Sequence, residues 1–118
     1  MGAVCEQAGK LALTSRAFHN DVLGQWEEYV TRFFGYDKVL PMNTGAEADE
    51  TALKLCRKWA YLKKGIKDGM AKIIVCDGNF HGRTITIVSM SADPEAYRDY
   101  GPYTPGFVKI PYNDIPAL

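Results

Sequence analysis

The sequence predicts an α/β fold with parallel strand pairing, and three observations favour it. Residues 38–42 form a short strand-like run, apolar residues recur at helical spacing from Ala48 to Ala60, and the run 73–76 (IIVC) is typical of a buried strand. Strand, helix and strand in this order favour parallel pairing, because a crossover helix joins parallel neighbours. The 118 residues suffice for one domain of ordinary size.

The first part of the chain is expected to be mainly helical. Residues 4–13 predict the end of a helix followed by an extended piece. Asn20 and Asp21 are N-cap residue types that precede a helical pattern of apolar residues between 22 and 33. Gly35 is placed to end that helix. Because proline lacks the N–H of a strand ladder, Pro41 predicts an edge or bulge position for the run 38–42.

The rest of the chain continues the alternation of helices and strands. Lys63, Lys64 and Gly65 are suited to end the long helix, with cations near its C-terminus and then a glycine. Residues 85–90 fit a helix or a strand equally well, and residues 107–110 are the last strand candidate. Turn or loop signals lie at 77–79, 93–94 and 101–106.

Composition excludes several classes of function. Lys+Arg and Asp+Glu both number 14, which indicates no basic nucleic-acid surface. No apolar run approaches the roughly 18 residues of a membrane span. The cysteines Cys5, Cys56 and Cys76 are far apart in sequence, and neither histidine has metal-ligand spacing from them. We therefore expect no metal site and interpret the cysteines as buried free thiols.

The stretch 42–55 (MNTGAEADETALKL) places a small, polar turn directly before the long helix. Two interpretations are open on local grounds. The free N–H groups at Gly45 and Ala46 would suit a phosphate, since a helix N-terminus carries partial positive charge. Alternatively, Thr44 or Asn43 only caps the helix, while Glu47, Asp49 and Glu50 crowd its first turn and complement the dipole.

A second candidate stretch, GNFHGRT at 78–84, follows the strand 73–76, and ligands of open α/β sheets bind at that end of the strands. Phe80 could stack on a flat ring, Arg83 could bind a carboxylate with both arms of its guanidinium, and His81 could hydrogen-bond or move a proton. The plain alternatives are a core phenylalanine, a loop histidine and an arginine that pairs with a surface acid.

Together the two stretches, separated by a long helix, resemble the class III aminotransferases, which are pyridoxal-phosphate enzymes of the aspartate aminotransferase fold (fold type I). The resemblance covers nearly the whole chain, through residues 11–61, 78–107 and 110–118. The stretches LTSRAFHND, VLPMNTG and RKWAY are similar to the branch of the family that acts on ornithine. The NTGAEA and FHGRT stretches are shared with the acetylornithine branch.

This resemblance implies a role for each matching residue and favours an anion at the Gly45 turn. The backbone at Gly45 and Ala46 is expected to hold the phosphate of pyridoxal phosphate, and Phe80 to stack on its pyridine ring. Arg83 is expected to receive the substrate carboxylate remote from the reacting amine, which for ornithine is the α-carboxylate. His81 is expected to lie beside the ring as a cofactor-binding neighbour and not to act as the catalytic base.

The implied reaction transfers the δ-amino group of ornithine to 2-oxoglutarate and gives glutamate semialdehyde and glutamate. The implied partners are these small molecules and, in the parent protein, a second copy in a homodimer, with no nucleic acid and no membrane. Two alternatives remain open. The first is a related enzyme that acts on acetylornithine or another ω-amine. The second is a non-catalytic short protein that binds or pairs with a full-length aminotransferase.

Transamination also needs a Schiff-base lysine and an acid on the pyridine nitrogen. In the family both lie beyond the position that Leu118 matches. We therefore expect residues 1–118 to be part of the cofactor-binding large domain, without a complete second domain or a catalytic residue, and to be inactive alone. The compartment, cytoplasmic or mitochondrial, is left open because a targeting segment would precede Met1.

Overall fold

A computed structural model describes residues 1–15 and 17–118. Arg16, which belongs to the family-like stretch 13–21, lies outside the described residues. The chain divides into two compact units, Met1–Leu40 and Pro41–Leu118.

The unit Met1–Leu40 contains two helices, α1 (Gly2–Lys10) and α2 (Leu23–Phe34). Asn20 supports the start of α2, whose N-cap position is Val22, because its Oδ1 accepts hydrogen bonds from the backbone N–H groups of Val22 and Leu23 at 3.1 and 2.7 Å. Gly35 ends α2 in the left-handed conformation at φ 72°, and its N–H donates to the carbonyl of Thr31. Both ends that the sequence predicts for this helix are confirmed within one or two residues.

The unit Pro41–Leu118 contains three helices and a two-stranded sheet. The two strands pair in parallel, with Ile73 opposite Phe107 and Cys76 opposite Ile110. The predicted α/β class with parallel pairing is therefore confirmed. In chain order the elements are α3 (Gly45–Leu62), β1 (Ile73–Cys76), α4 (Ile85–Ser89), α5 (Pro94–Tyr97) and β2 (Phe107–Ile110).

The hydrophobic core of this unit lies between the sheet and helices α3 and α4. Val75, Ile87 and Met90 form its buried centre, and four partly buried residues pack against them, namely Ala46, Leu53, Ile73 and Phe107. Because strand side chains alternate between faces, Ile73 and Val75 point to this core while Ile74 points away and is 45% exposed. The prediction of a fully buried strand is thus wrong within this chain, where the helices cover one face of the sheet.

The turn after β1 is fixed by Asn79. Its Nδ2 donates to the carbonyl of Cys76 at 2.7 Å and to the carbonyl of Met90 at 3.0 Å. Gly78 adopts φ 73° in the same turn, as the glycine there predicts. These two hydrogen bonds connect the end of β1 to the end of α4. They therefore fix both ends of the segment between these elements, which contains GNFHGRT.

Three further predictions need correction or completion. The run 38–42 is not a strand, because the described residues offer it no neighbouring strand and Pro41 has no N–H to donate. The ambiguous run 85–90 forms the helix α4. The predicted loop at 93–94 is the start of the short helix α5, in which Asp93 is the N-cap and Pro94 is the first helical residue.

The cysteines are free, as predicted, but they are not buried. Cys5 and Cys56 are exposed on α1 and α3, and Cys76 is half-buried at the end of β1. The prediction of burial is wrong because the core is small and none of the residues of α1 or α3 is fully buried.

Candidate active site at the start of helix α3

The turn before α3 is a complete capping box. Thr44 Oγ1 accepts a hydrogen bond from the N–H of Glu47 at 3.1 Å. In return, Glu47 Oε2 accepts from the N–H groups of Asn43 and Thr44 at 2.9 and 3.1 Å. The capping interpretation of this stretch is therefore confirmed, with Thr44 as the cap and Glu47 as its partner.

Capping leaves two backbone donors open. Among the described residues, nothing accepts a hydrogen bond from the N–H of Gly45 or of Ala46, the first two residues of α3. A Cβ placed on Gly45 would meet no atom within 4 Å, so the backbone there is open to a ligand. Two adjacent N–H groups at the positive end of an 18-residue helix form a donor set that fits a phosphate. Capping and anion binding are thus compatible here, because they use different N–H groups.

Residues 80–84, called the 80–84 loop below, pack directly on this turn. Gly82 has φ +133°, a conformation that side-chain-bearing residues rarely adopt. A Cβ on Gly82 would lie 3.1 Å from Ala46 Cβ and 3.4 Å from Ile87 Cδ1. Glycine at position 82 therefore lets the loop backbone approach the first turn of α3. The structure brings together the two stretches that the sequence marked separately.

Polar contacts attach the same loop to the second turn of α3. Thr84 Oγ1 donates a hydrogen bond to Glu50 Oε1 at 2.6 Å. His81 Nδ1 lies 3.4 Å from Asp49 Oδ2, and both side chains are 38% exposed. The expectation that Asp49 and Glu50 crowd the first turn of the helix is wrong, because only Glu47 lies in that turn.

Phe80 and Arg83 lie on the outer side of the loop. The side chain of Phe80 is 69% exposed, so the alternative of a core phenylalanine is wrong for this chain. Arg83 Cζ lies 5.3 Å from the centroid of the Phe80 ring, a cation–π distance. None of the salt bridges in the described part of the chain involves Arg83, which leaves its guanidinium available for a carboxylate.

A cavity of about 340 Å³ lies beside these two side chains. Its wall includes Phe80, Arg83, Glu95 and Tyr100, and therefore combines aromatic surface with one group of each charge. This volume is at the lower end of the range for small-molecule sites, roughly 300–1,000 Å³. The cavity can receive a flat molecule that carries a carboxylate, because an aromatic ring and a guanidinium both line it.

Sequence reasoning missed three residues that build this site: Glu50, Thr84 and Asn79. A signal existed for Glu50, because an acid at the sixth helical position is too far along the helix to complement its dipole, whose effect falls off within the first turn. No local signal identifies Thr84, since its partner lies 34 residues away in sequence. Asn79 belongs to the turn predicted at 77–79, but no local signal shows its second hydrogen bond, to Met90, which lies 11 residues away.

Within residues 1–15 and 17–118, no group of three or more His, Cys, Asp or Glu side chains is arranged to hold a metal ion. No helix of this described part is both long and apolar enough to cross a membrane.

Comparison with known proteins identifies the family. The model of the family "Aminotransferase class-III" matches residues 1–117. The chain belongs to this family. The resemblance seen in the sequence and the fold-type-I class that it implied are thereby confirmed.

Several class III aminotransferases are similar over the whole length of this chain. The mitochondrial ornithine aminotransferase of Rattus norvegicus is 60% identical over 116 residues, which are 98% of this chain and 26% of the rat protein. The corresponding protein of Drosophila melanogaster is 58% identical over 118 residues, which are 100% of this chain and 27% of the fly protein. The chain therefore spans about a quarter of the length of these relatives.

A solved structure agrees with these sequence relatives. The ornithine aminotransferase of Toxoplasma gondii, crystallised in the presence of oxidised glutathione and with partial occupancy of pyridoxal phosphate at its active site, superposes with a TM-score of 0.93. It is 53% identical in sequence, and the match covers 99% of this chain and 28% of the Toxoplasma chain. The similarity to the ornithine branch that the sequence predicted is confirmed by these matches.

Proposed function

We propose that residues 1–118 form part of the cofactor-binding large domain of a pyridoxal-phosphate-dependent aminotransferase that acts on ornithine. In the proposed reaction the δ-amino group of ornithine passes to 2-oxoglutarate, which gives glutamate semialdehyde and glutamate. Family membership supports the cofactor class, and the names of the rat, fly and Toxoplasma relatives support ornithine as the donor.

One observation carries the proposal for this chain: two backbone donors without a partner among the described residues lie beside a loop that presents an exposed aromatic ring and a guanidinium outside the described salt bridges. When bound, pyridoxal phosphate supplies an electron sink for the electron pair released at the reacting carbon. The N–H groups of Gly45 and Ala46 would hold its phosphate. Phe80 would cover one face of its ring, and His81 would lie beside that ring.

Arg83 is proposed to orient the substrate. A guanidinium can hold a carboxylate through two parallel hydrogen bonds, which fixes both the position and the rotation of the bound group. Binding the α-carboxylate of ornithine in this way would direct the distant δ-amine towards the cofactor. The contact with Phe80 holds the guanidinium beside the phenylalanine ring. The same loop would therefore determine the positions of both the cofactor and the substrate.

We further propose that the lysine that attaches the cofactor lies outside residues 1–118. Among the described residues, no hydrogen bond or salt bridge joins a lysine to the Gly45 turn or to the 80–84 loop, although Lys54 lines a cavity together with Ala46 and Thr84. The 118-residue chain alone is therefore expected to lack transaminase activity. We also propose that the complete protein acts as a homodimer, and the names of the rat and fly relatives support a mitochondrial location.

The test uses the complete natural polypeptide that contains these residues. It is incubated with pyridoxal phosphate and 2-oxoglutarate, and glutamate formation is measured with ornithine, N-acetylornithine or no amine. Activity with ornithine and little with N-acetylornithine supports the proposal. The reverse preference would assign the protein to the acetylornithine branch. No turnover of either amine, with the polypeptide recovered in complex with another aminotransferase, would favour the non-catalytic alternative. The 118-residue chain is assayed in parallel. Transaminase activity of this chain would contradict the proposal that the lysine attaching the cofactor lies outside residues 1–118.

A further inference from the structure

Two neighbouring acids of α3 contact two residues of the 80–84 loop, one on each side of Gly82 and Arg83. Glu50 accepts the hydrogen bond of Thr84 at 2.6 Å, and Asp49 faces His81 at 3.4 Å. The loop is therefore attached at both ends to one helix, while its middle rests on Ala46 through Gly82. All three contacts join the loop to the first two turns of α3.

The helix dipole does not account for these acids. Glu47 already occupies the first turn and completes the capping box. Asp49 and Glu50 are the fifth and sixth residues of α3, beyond the turn in which a carboxylate gains much from the dipole. The contacts that their carboxylates make are with the 80–84 loop.

Their contribution to global stability is expected to be small. The side chains of Asp49 and His81 are each 38% exposed, and partly exposed ion pairs stabilise folded proteins little. Their effect on the position of the loop matters more, because Phe80 and Arg83, which contact each other, lie on the loop between and beside these two attachments. A small displacement of the loop would move both side chains relative to the N–H groups of Gly45 and Ala46.

We propose that Glu50, assisted by Asp49, is a positioning residue that holds the 80–84 loop at the distance from the Gly45 turn that cofactor binding requires. This inference rests on the proposed function for its effect on the cofactor, but its effect on the loop does not. Glu50 acts through Thr84 and Asp49 acts through His81, and neither acid touches the ligand.

The experiment uses the complete polypeptide and conservative pairs of variants. Glu50→Ala and Thr84→Val each remove the hydrogen bond, whereas Glu50→Gln and Thr84→Ser keep an acceptor and a donor in place. The dissociation constant of pyridoxal phosphate is measured by spectroscopic titration for the single variants and for the double variant Glu50→Ala/Thr84→Val. Amide hydrogen exchange of residues 80–84 is measured on the cofactor-free protein, together with its melting temperature.

We expect Glu50→Ala and Thr84→Val each to weaken cofactor binding about tenfold, the size of effect that loss of one hydrogen bond can produce. The double variant should lose no more than either single variant, because both remove the same contact. Glu50→Gln and Thr84→Ser should stay within about twofold of the parent protein. Hydrogen exchange of the loop amides should be faster in Glu50→Ala and Thr84→Val only. The melting temperature of all variants should stay close to that of the parent protein.

Three outcomes would overturn the inference. The losses of the two single variants could multiply in the double variant, Glu50→Gln could lose as much affinity as Glu50→Ala, or loop exchange could stay at the parent rate in all variants. If the parent protein binds no pyridoxal phosphate, the proposed function fails, and the exchange rates alone decide the positioning role. The two failures are therefore distinguishable. The same measurements on Asp49→Ala and Asp49→Asn test the contact with His81.

Discussion

The two compact units of this chain are organised in different ways. In Met1–Leu40 the described side-chain hydrogen bonds and salt bridges join residues no more than four positions apart, as in the pair Lys10–Glu6. In Pro41–Leu118 they join residues up to 48 positions apart, as in Arg57 to the carbonyl of Pro105. Every buried residue of the described chain lies in this second unit: Ala71, Val75, Ile87, Val88, Met90 and Ser91.

This difference shows where a site can be held firmly. A ligand site needs side chains fixed by packing and by supporting hydrogen bonds, which local helical contacts do not supply. The candidate site lies in the unit where distant segments meet, at the contact between Gly82 and Ala46. The following predictions compare matched substitutions in the two units, and each would sharpen or break this distinction.

The largest effect is expected at Gly82. Gly82→Val would place a branched side chain against Ala46 at φ +133°, so strain and overpacking should together lower the free energy of unfolding by about 3 kcal/mol. The matched change Gly24→Ala lies in α2, where an added Cβ meets no atom within 4 Å, and should stabilise by about 0.5 kcal/mol. Urea titration of both variants measures the contrast. Similar values for the two would show that the loop does not approach α3 as described.

The next effect concerns the two arginines and the reaction itself. Arg83→Lys should lower kcat/KM for ornithine about a hundredfold, since a lysine cannot hold a carboxylate through two parallel hydrogen bonds. Arg32→Lys in α2 keeps a cation opposite Glu28 on the surface and should leave kcat/KM unchanged. Steady-state kinetics of the complete polypeptide provide the measurement. An unchanged kcat/KM in Arg83→Lys would remove Arg83 from substrate binding.

Substitutions at the starts of α2 and α3 can separate an effect on stability from an effect on cofactor binding. Thr44→Ala removes the N-cap acceptor of α3, and Asn20→Ala removes the side-chain acceptor just before α2; each should lower the free energy of unfolding by about 1 kcal/mol. Only Thr44→Ala should also weaken the binding of pyridoxal phosphate, because Thr44 shapes the turn that holds Gly45 and Ala46. Titration of the cofactor against both variants separates the two effects. Equal affinities would mean that the geometry of the α3 cap is irrelevant to the ligand.

The smallest effect is expected for a surface ion pair of the first unit. Arg32 and Glu28 are 78% and 70% exposed, so Arg32→Ala should change the free energy of unfolding by less than about 0.5 kcal/mol. Added salt should make no further difference to the variant, since the screened pair is already gone. A loss well above that figure would indicate that the first unit is held by more than local contacts.

The sequence was sufficient where structure follows from local signals. The stop at Gly35 and the strands at 73–76 and 107–110 have such signals, and the structure confirms them. Asn20 accepts hydrogen bonds just before α2, although the N-cap position itself is Val22. The run 38–42 fails as a strand because strands depend on a partner elsewhere in the chain. The roles of Gly45, Ala46, Phe80, His81 and Arg83 stay predictions, which the family resemblance of their two stretches suggested and local signals alone left open. Glu50 and Thr84 were missed because their contact exists only after the loop packs on α3.

The most direct test of the central claim is a crystal structure of the complete polypeptide with pyridoxal phosphate bound. We expect phosphate oxygens at about 2.9 Å from the backbone nitrogens of Gly45 and Ala46, the usual length of such hydrogen bonds. We also expect the pyridine ring against Phe80. A cofactor bound with its phosphate away from these two nitrogens, or with Phe80 remote from the ring, would contradict the account.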